Sequence, residues 1–72
     1  MPKLPRTSAS VVIKTLERMG FAAVRQRGSH IVMRRGSDGC VVPNHKEIAV
    51  GTLSGILKQA NVSVEEFLEH MS

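Results

Sequence analysis

The 72-residue chain contains no tryptophan or tyrosine, and its only aromatic residues are Phe21 and Phe67. Proteins that bind single-stranded RNA by base stacking, including OB-folds, need several exposed aromatic rings. Stacking is therefore excluded as the main mode of binding. The lone Cys40 has no partner for an internal disulfide, and no cysteine pair has zinc-finger spacing, which argues against a secreted or zinc-stabilised scaffold.

Long hydrophobic runs are also missing. No stretch of 18 apolar residues occurs, and the basic segment 1–6 leads into a polar stretch without the apolar core of a signal peptide. We therefore expect a cytoplasmic protein that is neither exported nor membrane-spanning. A chain of this length has room for one small core, which predicts a single domain over residues 1–72.

Charge is abundant but unevenly distributed. Residues 1–35 carry eight Lys or Arg and one acid, for a net charge of +7, whereas residues 36–72 carry a net charge of −3. A basic half of this kind is typical of a surface that binds a polyanion such as nucleic acid. The alternative is a basic face that is simply solvated.

The apolar spacing predicts three helices. Residues 8–19 repeat apolar side chains at helical intervals, with Thr7 or Ser8 as the N-cap and Gly20 as the stop. A second helix is predicted to begin at Gly51-Thr52 and end near Asn61. It carries apolar residues at helical intervals, namely Leu53, Ile56, Leu57 and Ala60. Ser63 and Glu66 form a capping-box pattern that begins a third, with Phe67, Leu68 and Met71 directed inward.

Three short strands are predicted between the first two helices. Segments 21–27 and 30–35 flank Gly28-Ser29 and predict a tight hairpin. A second turn is predicted over 36–39, with Asp38-Gly39 supplying the positive φ, and a third strand over 40–42, ended by Pro43. The order α-β-β-β-α-α predicts an α+β fold: a three-stranded antiparallel sheet with helices on one face and the other face open.

His30 is the strongest candidate for chemistry. Strand alternation places it on the open face with Val32 and Arg34, opposite Ile31 and Met33. Imidazole exchanges protons near neutral pH, and arginines can hold a phosphate, so His30 with Arg25, Arg27 and Arg34 could promote RNA cleavage by the RNA's own 2′-OH without a metal. The alternative is a strand histidine that only hydrogen-bonds a neighbouring loop.

Other polar residues have weaker cases. The spacing of His30, His45 and His70 matches no compact metal motif. His45 is either a second proton donor or, as we favour, a residue that orders the turn after Pro43. Lys46 and Lys58 are either phosphate contacts or solvated charges. Cys40 is predicted to be a core residue because no basic neighbour is placed to lower its pKa.

A set of short motifs occurs in order along nearly the whole chain. The pieces extend from the helix end at 16–21 to 65–67 and are Gly28-Ser29-His30, Asp38-Gly39, Val42-Pro43-Asn44-His45, Glu47-Ile48, Gly51-Thr52-Leu53 and Ile56-Leu57-Lys58-Gln59-Ala60. Any one of these pieces is weak, but the ordered set is specific, and it resembles the HicA (YcfA-like) toxin family.

The resemblance implies a fold similar to a double-stranded RNA-binding domain, mRNA interferase activity centred on His30, and a HicB-type antitoxin as partner. No cofactor is expected. The predicted substrate contacts are Gly28 and Ser29 beside the histidine, the basic residues Arg25, Arg27 and Arg34, and the lysines Lys46 and Lys58. Because the basic face would bind mRNA, the antitoxin is expected to be acidic and to cover the His30 face. The alternatives are a non-catalytic double-stranded RNA-binding module and a pure protein-interaction domain.

Overall fold

A computed structural model describes residues 3–71 of the chain. The helices are α1 (Ala9–Arg18), α2 (Val50–Ala60) and α3 (Val64–His70), and the strands are β1 (Ala22–Arg27), β2 (His30–Arg35) and β3 (Asp38–Pro43). The strands form an antiparallel sheet in the order β1-β2-β3. The predicted α+β architecture and element order are confirmed.

The ends of the helices follow the predicted capping chemistry. The Ser8 hydroxyl accepts a hydrogen bond from the Val11 N–H, and the Ser63 hydroxyl accepts one from the Glu66 N–H. After α1, Gly20 has a φ of +99°, and the Phe21 N–H donates to the Leu16 carbonyl at 3.0 Å. Asn61 ends α2 in the left-handed conformation. These local signals place α1 and α3 and the end of α2 where the sequence predicts them, whereas α2 begins at Val50, one residue before the predicted Gly51-Thr52, and its N-cap Ala49 makes no side-chain hydrogen bond.

The helices cover one face of β2 and β3. Met33 and Val42 are completely buried, and Ile31 packs against the same core. The largest fully buried apolar side chains come from all three helices, two strands and the loop before α2: Phe67, Leu16, Met33, Ile48, Leu53, Leu57, Val12 and Val42. Every residue of β1 is exposed, so the helices leave this edge strand uncovered.

The second hairpin differs from the sequence prediction. Arg35 pairs with Asp38, so the turn consists of Gly36 and Ser37, and Asp38-Gly39 begins β3. Gly36 supplies the positive φ of +61°. This register sets Met33 opposite Cys40 and Ile31 opposite Val42, so apolar side chains meet on the buried face. A turn at Asp38-Gly39 would lose that match, and the prediction was therefore wrong.

A β-bulge interrupts β1. Ala23 pairs with Met33 and Arg25 with Val32, so the register shifts by one residue at Val24. Val24 is left 57% exposed. The bulge determines which face the following arginines occupy.

Candidate functional site

The open sheet face brings together a histidine and three arginines. Arg27 pairs with His30, Arg25 pairs with Val32, and Arg34 lies two residues beyond Val32 on β2. Directly paired residues project to the same face with Cβ atoms about 5 Å apart, and alternate residues of a strand share a face. All four charged or titratable side chains are exposed. The grouping expected from the sequence is therefore present on one surface.

The bulge is what makes this grouping possible. With unbroken alternation from Ala23, which lies opposite the buried Met33, Arg25 and Arg27 would project to the helix side of the sheet. The extra residue at Val24 reverses the alternation, so that both arginines project to the side of His30. Sequence reasoning grouped these residues correctly without identifying the bulge.

The His30 ring is unconstrained by its neighbours. Among the described residues it makes no side-chain hydrogen bond, and Arg25 and Arg27 have no ion-pair partner there. The neighbouring loop is held by backbone instead, since the Asn44 N–H donates to the Ser29 carbonyl at 2.6 Å. An exposed imidazole without a hydrogen-bond partner can accept a proton from a bound molecule or donate one to it.

The turn before His30 is braced by a residue that sequence reasoning missed. Gln26 donates from Nε2 to the Gly28 carbonyl at 3.2 Å, while Gly28 supplies a positive φ of +58°. The second glycine-serine turn, at Gly36-Ser37, likewise begins with a glycine of positive φ. A glutamine two residues before a glycine is the only sequence signal for this bracing.

The other predicted contacts lie elsewhere. Lys46 is exposed in the loop after β3, where it lines a small cleft with Ser8, Ser10, Asn44 and His45. Lys58 lies on α2 in a different cleft with Ser63 and Glu66. His30 lines neither cleft. Their role as phosphate contacts stays a prediction.

The other two histidines have different surroundings. The His45 carbonyl accepts from the Ala9 N–H at 3.0 Å, and the His45 N–H donates to the Pro43 carbonyl, so its backbone links the loop to the start of α1. His70 Nδ1 lies 2.8 Å from the Glu66 carbonyl oxygen. Residues 3–71 contain no group of three His, Cys, Asp or Glu side chains arranged to hold a metal ion.

Arg35 and Cys40 have structural roles. Arg35 donates from Nη1 to the Met19 carbonyl at 3.0 Å and lies 4.6 Å from the centroid of the Phe21 ring, which ties β2 to the end of α1. Burial raises the pKa of the Cys40 thiol to about 11, so the neutral thiol predominates at physiological pH. A nucleophilic thiolate at this position is not supported.

The fold and the site define a small α+β protein with a cationic, histidine-containing open sheet face. The family model of the HicA toxin of bacterial toxin-antitoxin pairs matches residues 9–62, which include the whole sheet and α1 and α2. The chain therefore belongs to the HicA toxin family and is the toxin component of a toxin–antitoxin pair, with an antitoxin as partner. Neither a curated protein nor a solved structure matches the chain.

The part of the chain that the structure describes has no helix both long and apolar enough to cross a membrane.

Proposed function

We propose that this toxin is a metal-independent endoribonuclease that inactivates mRNA in the cytoplasm, with His30 as its acid/base residue. The single observation that carries the proposal is the pairing of His30 with Arg27 on an exposed face that also presents Arg25. This arrangement combines a proton acceptor with fixed positive charge, as phosphoryl transfer within RNA requires.

The reaction needs one proton transfer at each end of the scissile phosphate. His30 accepts the proton of a ribose 2′-OH, the 2′-oxygen attacks the adjacent phosphorus, and the bond from phosphorus to the 5′-oxygen breaks. The leaving 5′-oxygen takes a proton from water or from a second acid. The products are a 2′,3′-cyclic phosphate and a 5′-hydroxyl, and no oxidant or cofactor is consumed.

The arginines hold the substrate. Arg25 and Arg27 contact the phosphates next to the cut and stabilise the negative charge that grows on the phosphorane oxygens. Gly28 and Ser29 form the tight turn that lets the RNA backbone approach His30. Arg34, Lys46 and Lys58 extend the electrostatic attraction to neighbouring phosphates. His45 orders the loop after Pro43 through its backbone, and its ring has no assigned part in the reaction.

The antitoxin partner follows from the same charge. A HicB-type antitoxin with an acidic surface can cover the His30 face, associate rapidly through charge complementarity and exclude mRNA. Inhibition and substrate binding would then be mutually exclusive.

The test is incubation of the pure protein with end-labelled RNA, with and without a chelator. We expect cleavage that a chelator leaves unchanged and that produces cyclic phosphate ends. His30→Ala should reduce the rate by about 100- to 10,000-fold, the usual contribution of a general acid or base. His70→Ala is the matched control and should retain full activity. A protein that binds duplex RNA but never cleaves it would instead be a double-stranded RNA-binding module.

A further inference from the structure

The outer edge of β1 has no partner among the described residues. β1 lies at one end of the strand order β1-β2-β3, and all six of its residues are exposed. No hydrogen bond within residues 3–71 reaches its outer backbone groups. An edge of this kind presents unpaired N–H and C=O groups, which can pair with a strand of another chain.

The other edge of the sheet is closed. The Val41 N–H on β3 donates to Oε1 of Gln59 on α2 at 3.3 Å. β3 then ends at Pro43, which has no N–H to offer. Of the two edges of the described sheet, β1 is therefore the one that can accept a further strand.

The turn before His30 determines which backbone groups of β1 point outwards. Arg27 and His30 flank the two-residue Gly28-Ser29 turn and pair with each other. The residues that close such a turn are hydrogen-bonded to each other, so the N–H and C=O of Arg27 point towards β2. Bonded and non-bonded pairs alternate along an antiparallel ladder, so the N–H and C=O of Gln26 point away from β2. Gln26 thus offers one donor and one acceptor at the open edge.

The charge of β1 selects the kind of strand that can pair with it. β1 carries Arg25 and Arg27 and no acidic residue. Two antiparallel copies of β1 centred on Gln26 would set Arg25 of each opposite Arg27 of the other, and like charges directly opposite each other are destabilising. An acidic strand is attracted where a second copy of this chain is repelled.

The edge also favours a polypeptide over RNA. A strand edge alternates donors and acceptors, whereas the phosphates of RNA only accept hydrogen bonds. Val24, at the bulge, is 57% exposed, more than any other large apolar side chain among the described residues. A protein strand can cover this apolar surface while its backbone bonds to the edge.

We propose that an extended, acidic segment of the antitoxin adds to β1 as a fourth strand. Its backbone bonds to the outer groups of β1, and its residues opposite Arg25 and Arg27, two positions apart, are Asp or Glu. Strand pairing directs these carboxylates to the open face, where they neutralise the arginines beside His30. This attachment rests on the proposed covering of the His30 face and specifies how the antitoxin is held there.

Residue-resolved amide exchange tests the added strand directly. Isotope-labelled toxin is measured by NMR, alone and in complex with its unlabelled cognate antitoxin. We expect exchange of the Gln26 amide to slow by at least about tenfold in the complex, because this N–H gains a partner. The Val41 amide is the internal reference and should change less, since it is already bonded to Gln59. Unchanged exchange at Gln26 would overturn the proposal.

Two variants of Gln26 separate the backbone bond from the side chain. Gln26→Pro and Gln26→Ala both lose the side-chain bond to the Gly28 carbonyl, but only proline removes the outer N–H. We expect Gln26→Ala to bind the antitoxin as the wild type does and Gln26→Pro to bind about tenfold more weakly, measured by calorimetry. Equal affinities of the two variants would contradict an edge bond. Circular dichroism checks that both fold, and if Gln26→Pro does not, exchange in the wild type decides.

Other occupants of the edge give different results. Slower exchange at Gln26 with fully 2′-O-methylated RNA but not with the antitoxin would assign the edge to nucleic acid, and slower exchange at higher toxin concentration alone would assign it to a second copy. Either result would overturn the proposal. Inhibition of cleavage with unchanged exchange at Gln26 would remove the added strand and leave the proposed ribonuclease intact. Protection of Gln26 in a toxin that cleaves no RNA would support the added strand and refute the ribonuclease.

Discussion

The backbone N–H of Asn44 donates to the Ser29 carbonyl at 2.6 Å, which joins the turn before His30 to the loop after β3. His30 itself pairs with Pro43 and Arg27. The histidine therefore sits at the end of the sheet on a backbone held from both sides, while its ring stays free of hydrogen bonds to the described residues. Because the backbone is fixed and the ring is accessible, we expect a substitution of the His30 ring to affect RNA cleavage without affecting the stability of the fold.

His30→Ala should leave the free energy of unfolding within about 1 kcal/mol of the wild-type value, because the ring is exposed and unbonded. Urea denaturation followed by circular dichroism measures this. His70→Ala removes the contact with the Glu66 carbonyl and should cost a similar small amount. A His30→Ala protein that fails to fold would indicate a structural histidine.

Charge reversal of Arg25 or Arg27 should weaken the binding of every RNA sequence to a similar extent, because phosphate contacts carry no sequence information. The slope of log affinity against log salt should fall by about 0.7 to 0.9 for each phosphate that the variant no longer neutralises. Fluorescence anisotropy over a range of salt concentrations measures the slope.

Arg6→Glu is the matched control for these reversals. It changes the net charge equally, but Arg6 pairs with Glu47 at 3.0 Å and lies outside the sheet. An equal effect of Arg6→Glu on the salt slope would mean that total charge, and not the open face, attracts RNA.

Arg35→Met should destabilise the fold by about 1–3 kcal/mol, since it removes a charged hydrogen bond to the Met19 carbonyl and the contact with the Phe21 ring. Arg34→Met, the adjacent and exposed position, should change stability by about 0.5 kcal/mol or less. Thermal and urea unfolding of the two variants test this difference. Equal stabilities would refute the structural role of Arg35.

The free energy of unfolding should decline as the pH rises from about 9 to 11. Burial raises the pKa of the Cys40 thiol from 9.0 to about 11, so the unfolded chain loses this proton first and is stabilised relative to the folded one. The loss approaches about 3 kcal/mol above the higher pKa. Cys40→Ala should have a shallower pH dependence in this window, and identical slopes would contradict the assignment.

The antitoxin should compete with RNA for the open face. Hydrogen exchange of the toxin with and without the cognate antitoxin should show protection over residues 24–35, which contain the histidine and the arginines. Titration of the antitoxin into a cleavage assay should raise the apparent KM. Inhibition accompanied by protection of residues 63–71 alone would point to a remote mechanism instead.

Much of this protein is predictable from local patterns. The positions of the helices follow from the apolar spacing in α1, the N-caps Ser8 and Ser63, and Gly20. All of these act through contacts between residues only a few positions apart. The predicted turn at Asp38-Gly39 was wrong because Gly36-Ser37 and Asp38-Gly39 are adjacent dipeptides that can each form a tight turn. The apolar match of β2 with β3, which is a contact between strands, selected Gly36-Ser37.

The sequence by itself determined the element order, the basic half of the chain and the candidate role of His30, because helix periodicity, turn residues and charge are properties of neighbouring residues. The tertiary structure decided that Arg25 and Arg27 share the face of His30, since that depends on a bulge defined only by pairing with β2. It also brought Gln59 from α2 to the Val41 backbone and beside Arg34. Such contacts depend on how a helix packs along a strand edge, and no local pattern encodes that packing.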